Sequence, residues 1–487
     1  MNIPLNCFVA DNPVVENLVK NLAKSPEHFK SAIAAKDEMF LYPLDELVDK
    51  SSDHTLVNYF TLGKAIFETL ETIVDWHFGG FAQVDSFLDF ACGYGRLTRF
   101  LIEALAPEKV WASDIYAGAV EFQQQYFGVH GFHSASQTES YNLDRQFDCI
   151  LACSFFSHMP ERTFTPWMKV LCDRLTSRGI LIFSVLGEEI LPEHVQMSPT
   201  GILFSSATSE SESLDKQEYG TTFVTEAFVR RVLAEINPDL SIHRLPRGMC
   251  HYQDFYIVSP GQFNPVESLK FQHHPEGYLD DCNITPTGEI QLRGLAVDFN
   301  PGGSIQMVQV WSGDRLITEI QTSQPRPDLL EHFQQPNLPL NTGWVGSIAP
   351  EQLSPQAMIL LKAVNRAGLA SIFEVFPVKQ LMSRRQTLLE LSRTEAQLQE
   401  TETDLVVTRG KLEQTQMTLE QSQAKLSATE KTLGDCQTHL NSTEMALEQA
   451  RNRIIAMESS KFWKLRTKWF KLKRAMGLPD QEPEDRR

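Results

Sequence analysis

The chain has 487 residues, 42% of them hydrophobic and 10% aromatic, which exceeds a single core and predicts two or three folded units. A formal net charge of −18 argues against nucleic acid as a partner, because a phosphate-binding surface needs a basic excess. The eight cysteines are scattered with no CxxC pair, so neither a zinc nor a redox site is expected. No basic stretch with a long apolar run stands near the first residues, and no 18 apolar residues run together, so a reduced, cytoplasmic protein without a membrane span is expected.

Residues 1–80 read as a helical segment. "NPVVENLVKNLAKSPEHFKSAIAA" and "LGKAIFETLETIVDWH" repeat apolar residues at three- and four-residue spacing. From about residue 84 the texture alternates. "SFLDFA", "KVWASD", "FDCILACS" and "GILIFSVL" are short apolar runs, separated by the helical stretches "RLTRFLIEAL", "AGAVEFQQQYF" and "FTPWMKVLCDRL". Such alternation predicts an α/β unit over residues 81–262, with a parallel sheet covered by helices on both faces. Residues 187–218, rich in Ser, Glu and Thr, read as a long loop or lid; "TEAFVRRVLAEI" returns to helix, and "SIHRL" with "QDFYIVS" reads as a closing strand pair.

Over residues 265–378, short alternating runs such as "SIQMVQVWSG" and "AMILLKAVNRAG" are punctuated by Gly, Pro and Asn, which predicts a small β-sandwich. Residues 383–460 then carry a counted repeat. A Leu or Ile falls at every seventh position from Leu391 to Ile454, ten in succession, and three residues after each stands a smaller or more polar residue, most often Thr. A strict seven-residue period keeps one seam toward a partner helix, so a coiled coil of roughly 100 Å and self-association are expected. Thr in the second seam position buries less apolar area, which predicts moderate stability. Residues 461–476, "KFWKLRTKWFKLKRAM", hold seven basic residues and no acid, with Phe462, Leu465, Trp469, Leu472 and Met476 on one side of a helix. A basic amphipathic helix with aromatic anchors predicts contact with an anionic membrane surface; RNA, an acidic partner or closure of the coil are the alternatives. Residues 477–487 read as a disordered tail.

The chemistry concentrates in "LDFACGYGRLTRFL". A dinucleotide fingerprint places a third glycine three residues after the second, where this chain has Thr98, so NAD is disfavoured. Asp89 closes the first strand, Gly93 and Gly95 form the turn, and Asp114 closes the next strand, where a carboxylate can take the two hydroxyls of a ribose.

"LDFACGYGRLTRFL", Asp114, "FDCILACSFFSHMP" and "WMKVLCDRLTSRGILIFSVLGE" together resemble the class I S-adenosylmethionine-dependent methyltransferases, over about residues 50–260. The resemblance implies a Rossmann-like fold with S-adenosylmethionine as cofactor. Asp89, Ala91, Gly93 and Gly95 would cradle the methionine moiety, Asp114 the ribose, and Ile115 would pack on adenine. The position near the adenine amino group falls on Ser134–Gln137, which lacks the acid often found there. Ala91 departs from the usual glycine and is expected to narrow the loop slightly.

Methyl transfer to a hydroxyl is an in-line displacement that needs positioning and a base. His158, just beyond the fourth strand, is the candidate base, weighed against a packing role under the next helix. Ser154 and Phe155 would line the cofactor pocket. His251 and Asp254 could reach the acceptor or serve as structural polar groups, and Arg96 and Arg99 could bind an acidic acceptor or brace a loop. The whole arrangement resembles bacterial, cyanobacterial-type, surface-polysaccharide methyltransferases with a C-terminal coiled coil. That implies a glycan hydroxyl as acceptor and a peripheral position on the inner face of the membrane; a small-molecule methyltransferase, or a scaffold with an inactive methyltransferase domain, are the alternatives.

Overall fold

A computed structural model describes residues 7–8, 12–41, 52–192, 194–208, 214–284, 289–329, 338–349, 352–353 and 358–477. The expected disordered tail therefore lies outside the described residues except for Gly477. The chain divides into two units, Met1–Leu388 and Leu389–Arg487.

In the first unit, helix α1 (Pro13–Leu22) starts where Asn12 accepts a hydrogen bond from the Val14 amide and Pro13 sets the first-turn φ. The long helix read from "NPVVENLVKNLAKSPEHFKSAIAA" is thus corrected. It stops at Leu22, before Ser25-Pro26, and Ile33–Ala34 pairs instead with Cys7–Phe8 as a two-residue strand. Helix α2 (Ser52–Phe78) follows.

Four parallel strands form one side of the main sheet: β1 (Phe87–Phe90), β2 (Val110–Asp114), β3 (His130–His133) and β4 (Phe147–Ala152). Beside β4 run β5 (Leu175–Gly187), parallel to it, and the antiparallel hairpin β8 (Ser241–Met249) and β9 (Gln253–Ser259). The spatial order is β8-β9-β5-β4-β1-β2-β3. Progression along the sheet reverses between β1 and β4, so the crevice outside their carboxyl ends is the expected ligand site of an open α/β sheet. Helices α3 (Glu161–Asp173) and α4 (Glu226–Ile236) pack on one face through Phe164, Trp167, Met168, Phe228 and Val232, while α2 covers the other through Phe67, Leu70 and Val74.

The stretch read as a loop over 187–218 contains strand β6 (Ile202–Ser205). It pairs with β7 (Thr221–Val224), which extends the carboxyl end of β5. Two four-stranded antiparallel sheets follow. One runs in the order β10 (Glu276–Ile284), β11 (Ile290–Val297), β15 (Gly343–Ile348), β14 (Thr322–Gln324), the other β13 (Arg315–Ile320), β12 (Ile305–Ser312), β16 (Met358–Asn365), β17 (Ala370–Pro377). They enclose Leu292, Val308, Val310, Trp344, Ile359, Leu361 and Phe376 as a sandwich core. Its outer face joins the first domain: Leu360, Ile372 and Val375 share the core of α1 and α2, and half-buried His54 meets buried Glu374 at 3.1 Å.

Helix α5 (Val378–Ser459) begins before the division and carries the seven-residue repeat in the second unit, where α6 (Lys461–Ala475) carries the basic segment. The repeat leucines and isoleucine from Leu398 to Ile454 are 53–66% exposed in the single chain.

Candidate functional site

A cavity of about 650 Å³ opens at the carboxyl ends of β1, β2, β4 and β5, within the roughly 300–1,000 Å³ of small-molecule and cofactor sites. Its floor is the glycine turn. Gly93 has φ +52, and a Cβ there would meet nothing within 4 Å, so its backbone faces open space. The Gly93 amide donates to Asp114 Oδ2 at 2.8 Å, and the Tyr116 amide donates to Asp114 Oδ1 at 2.9 Å. Burial raises the Asp114 pKa and these amides oppose the rise. The Gly93 carbonyl accepts from Gln123 Nε2 at 3.2 Å, and Gln123 begins a π-helical turn (Gln123–Phe127).

Asp89 is 3% exposed, accepts from Thr98 Oγ1 at 3.2 Å, and is pushed up to about 7 by burial. Thr98, read from the sequence as a missing glycine, is the hydroxyl that fixes this carboxylate. Ala91 lines the cavity with φ +57, a left-handed conformation that costs a non-glycine residue about 1–2 kcal/mol. The expectation that Ala91 only narrows the loop is corrected: the strain lies in the backbone. Gly95 is corrected too, because it does not line the cavity; a Cβ there would stand 2.2 Å from the Phe127 ring, so this glycine serves packing.

Ile115 and the stretch Ser134–Gln137 line the cavity beside Asp114. Ser154, at the end of β4, is also left-handed (φ +54). Its amide donates to Ser184 Oγ at 2.7 Å and its hydroxyl accepts from Gln253 Nε2 at 3.0 Å. His158 is 7% exposed and stacks on Tyr219 at 4.5 Å. Its Nδ1 lies 2.7 Å from the Gly220 carbonyl, which can only accept. Nδ1 therefore carries a proton, and in the neutral ring Nε2 is the acceptor nitrogen, the form a general base requires.

The other candidates separate. Arg96 lines the cavity, whereas Arg99 is fully buried and donates to the carbonyls of Gly95, Lys30 and Ala32, bracing the turn. Asp254 is clamped by Arg244, together with Glu189 and Glu226, and does not line the cavity. His251 contacts the His274 carbonyl and the Phe299 ring, away from the cavity. Neither lines the cavity, and each has structural polar contacts instead.

Sequence reading missed Asp37, Glu38 and Met39, contributed from the N-terminal segment, and Tyr219, Tyr252 and Gln253. Asp37 is buried and accepts from Tyr59 Oη at 2.5 Å. None belongs to a local motif; a lone acid two residues past an apolar pair gave no signal.

Residues 88–181 match a family model described as a methyltransferase domain. A malonyl-[acyl-carrier protein] O-methyltransferase from Acetivibrio thermocellus is 22% identical over 175 residues, covering 35% of this chain. The chain spans 59% of that relative's length. Among solved structures, an S-adenosylmethionine-dependent methyltransferase from Clostridium acetobutylicum is 17% identical, with TM-score 0.31 over 46% of this chain and 98% of that one. The magnesium protoporphyrin IX methyltransferase of Synechocystis PCC 6803, solved with bound SAM, is 15% identical, with TM-score 0.30 over 52% and 99%. Strand order and crevice give this chain a Rossmann-like methyltransferase fold, and its residues 88–181 are similar to a methyltransferase domain.

Proposed function

We propose that the chain is an S-adenosylmethionine-dependent methyltransferase whose acceptor is a hydroxyl of a surface glycan. The observation that carries the reading is the convergence of Asp89, Gly93, Asp114, Ile115 and His158 on one cavity. The donor set fits the cofactor: an open backbone at Gly93, a carboxylate at the end of β2, and an apolar side chain following it. The cofactor supplies an electrophilic methyl group when bound. Asp89 and the turn at Ala91 and Gly93 hold its amino-acid end, Asp114 accepts from its ribose hydroxyls, and Ile115 flanks its base. His158 Nε2 receives the acceptor's hydroxyl proton, while Nδ1–H, held by Gly220, keeps the ring oriented.

The rest of the wall supports a neutral, hydroxylated acceptor. Tyr94, Tyr219 and Tyr252 offer rings for stacking, and Glu38, Asp215 and Glu218 offer acceptors for hydroxyls. Against these acids Arg96 is the cavity's one arginine or lysine among the described residues, which disfavours an anionic acceptor. The seam of α5 joins copies of the chain.

Calorimetric titration of the full chain with S-adenosylmethionine tests the first half. Binding in the native chain with a loss of about 100-fold or more in Asp114→Ala is expected, and no heat in either would favour an inactive scaffold. A 14-unit mass deficit, roughly one CH₂, in surface glycan from cells lacking the gene tests the second half. Intact glycan with retained cofactor binding would point to a small-molecule acceptor.

A further inference from the structure

Carrying the seam of α5 forward past Ile454 and Met457 puts Lys461, Lys464, Lys468 and Lys471 at the core positions. A coiled coil cannot bury four lysines in succession, and the helix breaks at that junction: α5 ends at Ser459 and α6 begins at Lys461. The apolar line of α6 is displaced by one residue. Phe462, Leu465, Trp469 and Leu472, with Met476 just past its end, fall within about 80° of the helix circumference. All five are 54–78% exposed. On one border of this line lie Lys461 and Lys468, on the other Arg466 and Lys473, with Lys464, Lys471 and Arg474 on the far side.

From this we infer that α6 is a separate docking surface for an anionic lipid bilayer, lying in the headgroup plane with its aromatic line inward and its cations at the phosphates. A second copy of the same helix is a poor occupant, since pairing two such lines brings fourteen cations together in a chain whose remainder is acidic. A nucleic acid would neutralise the charge and leave the apolar line in water. A bilayer surface satisfies both features at once, as an interfacial helix with basic borders does. The inference is independent of the methyl-transfer reading, because it uses no residue of the first unit.

The full chain is sedimented with vesicles of phosphatidylcholine alone and of phosphatidylcholine with phosphatidylglycerol. Partition onto the anionic vesicles at least about tenfold stronger is expected, declining with added salt. The Leu465→Glu, Trp469→Glu variant removes the line, and Lys464→Glu, Lys468→Glu, Lys471→Glu reverses the charge; each should abolish pelleting. Circular dichroism checks that the helices persist. Bromine-labelled acyl chains should quench tryptophan emission in the native chain and not in the first variant. Equal pelleting with neutral vesicles, unchanged pelleting of both variants, or binding of a single-stranded RNA oligonucleotide in place of vesicles would overturn the proposal. So would either of these α6 variants changing the oligomeric mass while leaving vesicle binding intact.

Discussion

Leucines mark the contrast between the two units of this chain. Leu88, Leu181 and Leu292 of the first have no exposed surface, while Leu398, Leu412 and Leu440 of the second are more than half exposed. Polar contacts follow the same division. Arg99 reaches Lys30 and Ala32 across more than sixty residues, whereas Thr401, Thr415, Thr429 and Thr443 donate to carbonyls four residues back in their own helix. The first unit closes its interactions within one chain; the second satisfies its backbone locally and leaves its apolar seam exposed in the single chain. Stability in the first is therefore a matter of burial and distant contacts, and in the second, under the proposed joining of copies through the seam, a matter of concentration.

The contrast is broken most severely at Arg99. Arg99→Ala deprives the Lys30 and Ala32 carbonyls of their donor, removes the side-chain donor to Gly95, and takes away a guanidinium packed on Tyr59, Phe60 and Phe127. A loss of about 4 kcal/mol is expected in the unfolding of the first unit. Guanidinium denaturation followed by tryptophan fluorescence should show this loss, while far-ultraviolet dichroism still reports the helices of the second unit. In the opposite direction, Leu419→Asp with Leu426→Asp should leave the first unit's transition in place and weaken self-association by about 100-fold or more, at about 2 kcal/mol for each buried leucine. Sedimentation equilibrium measures it, and an unchanged mass would remove the seam from the interface.

Legibility in the sequence divides along the same line. The repeat of α5 needs nothing beyond counting, and β1, β2, β4 and β5 stand out because strands buried on both faces are continuous apolar runs. Strand β3 could not be read from its residues and entered only through the resemblance: "HGFH" lies at the sheet edge with both histidines exposed, and no burial pattern betrays it. In the site, Asp89, Gly93 and Asp114 were readable because turn chemistry is local. Asp37 and Gln253 were not, since chain segments far apart in sequence bring them to the cavity. The split between Arg96 and Arg99 was also unreadable, because a three-residue step on one helical turn decides which guanidinium meets the cavity and which is buried.

Titration of Asp89 sharpens the contrast further, because only a buried carboxylate moves so far. Its folded value, near 7, lies above the unfolded value of about 3.9. The folded state therefore holds the proton more tightly, so this contribution to stability is full below about pH 4 and is lost as pH rises through about 7. Asp89→Asn stays neutral throughout. The stability of the variant relative to the native chain should rise between pH 4.5 and 8, as measured by paired thermal melts. A constant difference would mean that Asp89 is ionised at low pH, held by a charge partner.

The smallest effect separates two kinds of strain. Ala91, Ser154, Arg247, Cys250 and His251 are the left-handed non-glycine residues among those described, and all belong to the first unit. Ala91 and Ser154 flank the crevice at the ends of neighbouring strands, so relief of strain can be compared at matched positions. At Ala91 a glycine removes about 1–2 kcal/mol of backbone strain and returns up to about 1 kcal/mol through the more flexible unfolded chain. Ala91→Gly should therefore stabilise the first unit by about 0.5 kcal/mol. Ser154→Gly gains the same relief but leaves the buried Gln253 amide without its hydroxyl acceptor, a cost of about 1–3 kcal/mol. It should be destabilising. If both substitutions shift the melting temperature the same way, the Gln253 contact contributes nothing and backbone strain alone governs this rim of the cavity.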